Sequence, residues 1–467
     1  MPDVGSLPGG NAMIRFLAVL LMSPLWAFSP AATPVCDAPV PSTTQPGYLV
    51  ADPDCEADGS TFTALPGATV HTGISRGAGY RIEVPDHWNG RLVLYAHGFR
   101  GTGTTVTVSS PSLRAHYIAR GFAWAASSYA TNGYDVGQGV RDSYALIGLF
   151  RSAVGKPARQ VLMTGDSMGG HITGVAIETY PSAFAGAMPS CGVLGDKELF
   201  DYFLDANVTA AALARVRVEF PLHPGEDYQD IWRTQVAAIL PQLGVRAGAP
   251  PVLTALGREW SDVVENRSGG QRPGFEGSFA YWNTATSLAP LGDLPFLFGV
   301  YPGLTGGTAN IARGNVTDNR FTVYRASSLL TTLRLNASVL RVRPTDVASP
   351  GLSGIPRIDG RPPVPVLSLH DIGDLFVPFS MEQTYAREAA RNGRANLFVS
   401  RAIRGTGHCD FTTAERQEAF DDLVTWIDKG RRPGGDAVLD VRAVSAASFG
   451  CRYTRGTHAG WEALPCR

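Results

Sequence analysis

Two hydrophobic periods alternate along most of this chain. Apolar runs of strand length stand at 69–74, 80–84, 91–96, 122–127, 161–163, 185–189, 364–369 and 396–403. Between and after them, apolar positions three and four apart predict helices over 112–120, 140–154, 172–180, 381–392 and 413–429. Runs such as 364–369 are continuously apolar, as strands covered on both faces are. This alternation predicts an α/β fold, a mostly parallel sheet with helices on both faces. The pattern breaks near residue 194 and resumes at 362. The stretch between opens with helical patterns at 208–218 and 228–240, then turns rich in Gly, Pro and aromatics, among them Trp260, Trp282, Phe296 and Tyr301. It is far too long for an ordinary connection, and its place inside the α/β pattern predicts an inserted cap. The plan is then an arm at 33–65, a core at 66–193 and 362–432, a cap at 194–361 and a tail at 433–467.

The first 32 residues read as a signal peptide. Arg15 precedes an apolar run at 16–28, and the small residues Ser29-Pro30-Ala31-Ala32 follow. That run is short for a bilayer span, and no later segment is long and apolar enough to be one. The mature chain is expected to be secreted or periplasmic, with no integral membrane segment. Charge adds an exclusion: 40 Lys and Arg against 41 Asp and Glu give a net charge of −1, which offers no footprint for nucleic acid. Export turns the six cysteines into disulfide candidates. Cys36 with Cys55 and Cys451 with Cys466 each bracket a segment with little core of its own. Cys191 and Cys409 remain, either as buried thiols or as a third bond at the strand edge, and the bond is the expectation.

The chemistry centres on Gly165-Asp166-Ser167-Met168-Gly169. A strand precedes it and a helix follows, so Ser167 stands at the tip of a tight turn, where glycines keep bulk away from the neighbouring strand and helix. The N–H of Met168, at the helix start, is then free to donate to an oxyanion. A second donor is expected after the strand at 91–96, where His97-Gly98-Phe99 begins a Gly-containing loop, and it is assigned to the N–H of Phe99. His97 itself is read as a brace for that loop, His171 as a packed helix residue and Asp166 as a support for the turn. Asp374 follows the strand at 364–369, and His408 lies in the Gly-rich loop after the strand at 396–403. A serine hydroxyl needs an imidazole to take its proton, and the imidazole needs a carboxylate to hold its tautomer. Asp371 shares the acid's loop, but it sits almost directly after the strand, where the sheet edge limits its reach.

His97-Gly98, Gly165-Asp166-Ser167-Met168-Gly169, Asp374 ahead of Val377-Pro378, and Gly407-His408 together resemble the α/β-hydrolase superfamily, over roughly residues 69–191 and 363–430. The resemblance implies a Ser-His-Asp hydrolase that uses no metal or cofactor and most often cleaves carboxylic esters. The expected substrate is a small-molecule or polymeric ester, with a secreted serine peptidase of the same fold as the alternative. Tannase- and feruloyl-esterase-like members carry a cysteine beside the serine and another beside the histidine. This chain has Cys409 beside His408 but Asp166 beside Ser167.

Overall fold

Eight strands build the main sheet: β1 (Ala68–Ser75), β2 (Ala78–Pro85), β3 (Arg91–Ala96), β4 (Ala123–Ser127), β5 (Gln160–Asp166), β6 (Gly186–Ser190), β7 (Val366–Asp371) and β8 (Phe398–Ile403). They lie in the order β8-β7-β6-β5-β3-β4-β2-β1. β2 runs antiparallel to both its neighbours, and every other pairing is parallel. The computed structural model describes residues 36–466 except 287–290, 307–313, 348–350, 353 and 463. The predicted signal peptide lies outside the described residues.

Register decides where the chemistry falls. Ala96 pairs with Gly165, Asp166 with Ser190, Leu369 with Ser190 and Asp371 with Ile403. The carboxyl ends of β3, β5, β6, β7 and β8 therefore meet at one edge, where open α/β sheets place their sites. Along β3 the side chains alternate between two cores, as the two-residue period of a strand requires. Leu92 and Leu94 join the cluster with the helices Val136–Val154 and Met168–Thr179. Val93 joins the opposite cluster, with Phe420 and Leu423 of the helix Thr413–Lys429.

The chain between β6 and β7 carries helices Glu198–Ala214, Asp227–Leu243, Ala255–Ser268 and Phe275–Thr284. Their aromatics Trp232, Trp260 and Trp282 belong to the same buried cluster as Leu94 and Met163 of the sheet. Residues Cys36–Arg467 form one compact unit. The first of these helices starts ten residues before the sequence pattern at 208–218. Fourteen of its seventeen residues are buried, so it has no polar face to reveal its period. The helix Val136–Val154 also begins before its expected start at 140. Asp135 caps it by accepting from the Gln138 N–H at 3.0 Å. Gly137 and Gly139 lie inside this helix, and close packing requires glycine there: a methyl would strike Leu352 O at 2.2 Å or Ile172 Cδ1 at 2.4 Å.

The ends of the chain are tied on. Arg81, fully buried on β2, donates to the carbonyls of Pro53 and Cys55 and pairs with Glu56 at 3.0 Å, holding the arm. The tail is more than tethered: Val438, Val444, Phe449 and Trp461 pack on Ile372, Phe379 and Ala402. All three expected disulfides are present, Cys36–Cys55, Cys191–Cys409 and Cys451–Cys466.

Candidate active site

Ser167 sits between β5 and the helix Met168–Thr179 with φ 61° and ψ −121°, a conformation that costs a non-glycine residue energy. The turn is held by contacts on all sides. A methyl on Gly165 would lie 2.2 Å from Gly169 O, and one on Gly169 would lie 2.0 Å from Ala96 O. The Ser167 N–H donates to Ser190 O at 3.0 Å. These contacts leave the hydroxyl facing out of the sheet edge, 2.7 Å from His408 Nε2. His408 Nδ1 stands 2.6 Å from Asp374 Oδ2. The other oxygen of Asp374 accepts from the N–H groups of Phe376 at 2.8 Å and Val377 at 3.1 Å, which aims Oδ2 at the imidazole.

Asp371, by contrast, is the last residue of β7 and points under the histidine loop. Its Oδ2 accepts from the Asp410 N–H at 2.9 Å, and Gly405 packs directly over Oδ1. Burial drives its carboxyl well above the usual carboxylate range, helped by the neighbouring Asp374 and Asp410. Gly373, in the turn between the two aspartates, admits close approach. A methyl there would meet Ser278 Oγ at 2.3 Å and Gly405 O at 2.6 Å.

Of the two expected oxyanion donors, Met168 directly follows Ser167 and Phe99 lines the same cavity. Neither the N–H of Met168 nor that of Phe99 has a protein acceptor among the described residues, and Gly98 packs so close that a methyl would sit 3.0 Å from Ser167 Cβ. His97 braces that loop. It stacks on Tyr129 at 4.0 Å, with Nδ1 2.7 Å from Gly98 O, and burial lowers its pKa to about 3, so the ring is neutral. His171 is buried and likewise neutral, lowered by burial to about 4. Its Nε2 donates to Pro356 O at 2.8 Å, which leaves Nδ1 to accept from the Tyr134 hydroxyl at 3.0 Å.

A cavity of ≈ 110 Å³ opens beside Ser167, walled by Val193, Phe200, Phe203, Tyr301, Leu304 and Phe376. Phe200 and Phe203 come from the helix Glu198–Ala214, and Tyr301 and Leu304 from a later turn of the chain between β6 and β7. None of the described residues lining the cavity is charged. Cys191, His408 and Cys409 have metal-ligand spacing, but the two sulfurs are bonded to each other and offer no thiolate.

Two supporting residues were not read from the sequence. Arg416, 8% exposed on the closing helix, donates to Asp166 Oδ1 at 2.7 Å and reaches Cys409 O at 3.4 Å. It thereby joins the residue before the serine to the residue after the histidine. No local pattern singled out its role, because its partner Asp166 lies 250 residues away. Trp282 reaches the acid and histidine loops from the insertion, and no local pattern marks it.

An eight-stranded sheet of this order, with its second strand reversed, is the α/β-hydrolase fold. In this chain Ser167 follows the fifth strand, Asp374 the seventh and His408 the eighth. No protein-family profile matches the chain. It is 36% identical over 105 residues to o-phthalyl amidase of Xanthobacter agilis, a match covering 22% of each protein, so the chain spans about a fifth of that relative's length. Among solved structures it is similar to feruloyl esterase B from Aspergillus oryzae, at 14% identity over 80% of this chain and 83% of that one, TM-score 0.44. It is also similar to the rice cell wall degrading esterase LipA from Xanthomonas oryzae, at 14% identity over 80% and 88%, TM-score 0.32. A third similarity is to the acylaminoacyl peptidase of Pyrococcus horikoshii, at 10% identity over 80% and 44%, TM-score 0.37.

Proposed function

We propose that the protein is a serine hydrolase that cleaves carboxylic esters through an acyl-enzyme. The observation that carries this reading is the continuous line of hydrogen bonds from Asp374 through His408 to Ser167, 2.6 and 2.7 Å long, ending at an apolar cavity. Ser167 Oγ attacks the ester carbonyl while its proton passes to His408 Nε2, and Asp374 stabilises the imidazolium. The oxygen of the tetrahedral intermediate takes hydrogen bonds from the N–H groups of Met168 and Phe99. His408 then gives its proton to the departing alcohol. A water molecule, deprotonated by His408, attacks the acyl-enzyme and releases the acid. The apolar wall built by the insertion suits a neutral acyl group, small or presented by a polymer. Three disulfides, and no helix among the described residues able to cross a membrane, support a secreted or periplasmic location.

A second reading, cleavage of an amide, is favoured by the similarity to o-phthalyl amidase. The residues and their roles would be the same, with an amine leaving in place of the alcohol. Hydrolysis of a short-acyl aryl ester measured against an aryl amide and an aminoacyl anilide separates the readings. Ester turnover with stoichiometric fluorophosphonate labelling, both lost in Ser167→Ala, is the expected result. Full labelling of the Ala variant would remove Ser167 from its role.

A further inference from the structure

The helix Phe275–Thr284 belongs to the insertion, yet one of its side chains reaches the loops that carry Asp374 and His408. Trp282 is fully buried. Its single indole N–H points between two carbonyls, 3.1 Å from Gly373 O and 3.0 Å from Thr406 O. Gly373 directly precedes Asp374, and Thr406 lies two residues before His408. The loops also touch through the Gly373 N–H and Gly405 O at 2.9 Å. The indole lies 4.6 Å from the Phe296 ring in a tilted contact and 6.3 Å from the Phe376 ring in an edge-to-face one. Phe376 in turn lies 4.9 Å from the His408 ring and forms part of the cavity wall. One residue of the insertion thus meets the acid loop, the base loop and the ring that separates the base from the cavity.

We infer that Trp282 is a positioning residue, through which the seating of the inserted segment sets the distance between Asp374 and His408. This rests on the proposed Ser-His-Asp reading. The physical reason is the forked donor. Two buried carbonyls on different loops share one N–H, so removing it leaves both unsatisfied in an apolar setting and lets the loops part. A small change in separation matters because the carboxylate must meet Nδ1 to hold the tautomer that leaves Nε2 free to accept the serine proton. Trp260 supplies an internal control. It is equally buried in the same insertion, but its N–H donates at 2.8 Å to Ala206 O, which lies within the insertion itself.

The test compares Trp282→Phe with Trp260→Phe, using a short-acyl aryl ester. Trp282→Phe is expected to lower kcat about ten- to a hundredfold with KM within about twofold of wild type. Its kcat/KM–pH profile should differ from that of wild type, because the hold of Asp374 on His408 is loosened. The downfield proton resonance of the His408 Nδ1–H should weaken or shift. Trp260→Phe should lower Tm yet leave the pH profile and that resonance unchanged. If Trp282→Phe does not fold, incorporation of β-(3-benzothienyl)alanine at position 282 removes the N–H at nearly constant shape and should give the same kinetic result. A Trp282 replacement that lowers Tm alone, with kcat, pH profile and resonance as in wild type, overturns the inference and leaves the hydrolase reading standing. A wild-type protein with neither ester turnover nor probe labelling overturns both.

Discussion

The serine and the histidine stand 2.7 Å apart, but they are held there in different ways. The serine's turn is built by its immediate neighbours in sequence, a strand, two glycines and a helix, and is closed against Ala96 and Ser190 of the flanking strands. The histidine sits in a loop that would have little reason to stay still. Three remote segments restrain it: Cys191 by a disulfide to Cys409, Trp282 through the Thr406 carbonyl, and the tail through His458 against Asp410; Arg416, seven residues after Cys409, adds a tie through Asp166 and the Cys409 carbonyl. Both Cys191 and Cys409 have positive φ, 45° and 60°, so the loop, like the elbow, is kept in a costly conformation by what surrounds it. On the proposed reading, the nucleophile's turn is written mostly in local sequence, whereas the loop of its base depends more on ties from across the chain.

The sharpest way to break this comparison is to cut the link between the acid and the base. Asp374→Asn should leave the fold intact by circular dichroism and cut ester turnover by about four orders of magnitude, through the wrong histidine tautomer. Asp371→Asn should cost far less, since the amide oxygen can still accept from the Asp410 N–H. The change also removes a carboxyl that burial keeps from ionising, so stability should be equal or higher at neutral pH. A folded Asp371 variant without activity, beside a working Asp374 variant, would reverse the assignment.

The elbow should break through a single local methyl. Gly165→Ala drives Cβ to 2.2 Å from the Gly169 carbonyl, and denaturant unfolding should show a loss of about 3 kcal/mol or more, with turnover lost as the turn deforms. Wild-type stability in this variant would mean that the turn is not tightly held. The histidine loop should instead fail by degrees. The Cys191→Ala/Cys409→Ala pair should cost about 2–4 kcal/mol of stability and lower kcat about ten- to a hundredfold, because the other ties persist. Unchanged kcat in that pair would assign the disulfide to stability alone.

The smallest effect is expected at the tail. The imidazole of His458 is raised to about 10, first by its contact with Asp410 and then by Glu415 at 3.0 Å. A raised histidine contributes its full stability below its unfolded value of about 6.5 and loses it as pH rises through the folded one. His458→Gln should therefore lower Tm by about 2 °C at pH 6, with the gap to wild type closing as the pH approaches 10. A gap that stays constant with pH would show that the pairing carries no charge.

Much of the sheet could be read from the chain because buried strands and amphipathic helices write their periods into local sequence. The elbow was legible for the same reason: strand, Gly-x-Ser-x-Gly and helix occupy about twenty consecutive residues, although Ala96 and Ser190 close the turn from outside that window. Asp374 could be preferred over Asp371 from one local fact, the end of a strand that leaves Asp371 no freedom to turn. What tertiary structure alone decided is what crosses the chain. The helix Glu198–Ala214 is buried all round and has no face to show, so its start could not be placed. Arg416 and Trp282 look like any arginine or tryptophan of a helix until folding brings Asp166 to one and the acid and histidine loops to the other. Local periods record which side of an element meets water. Which residue of a distant element fills the space beneath it depends on packing, and packing leaves no period.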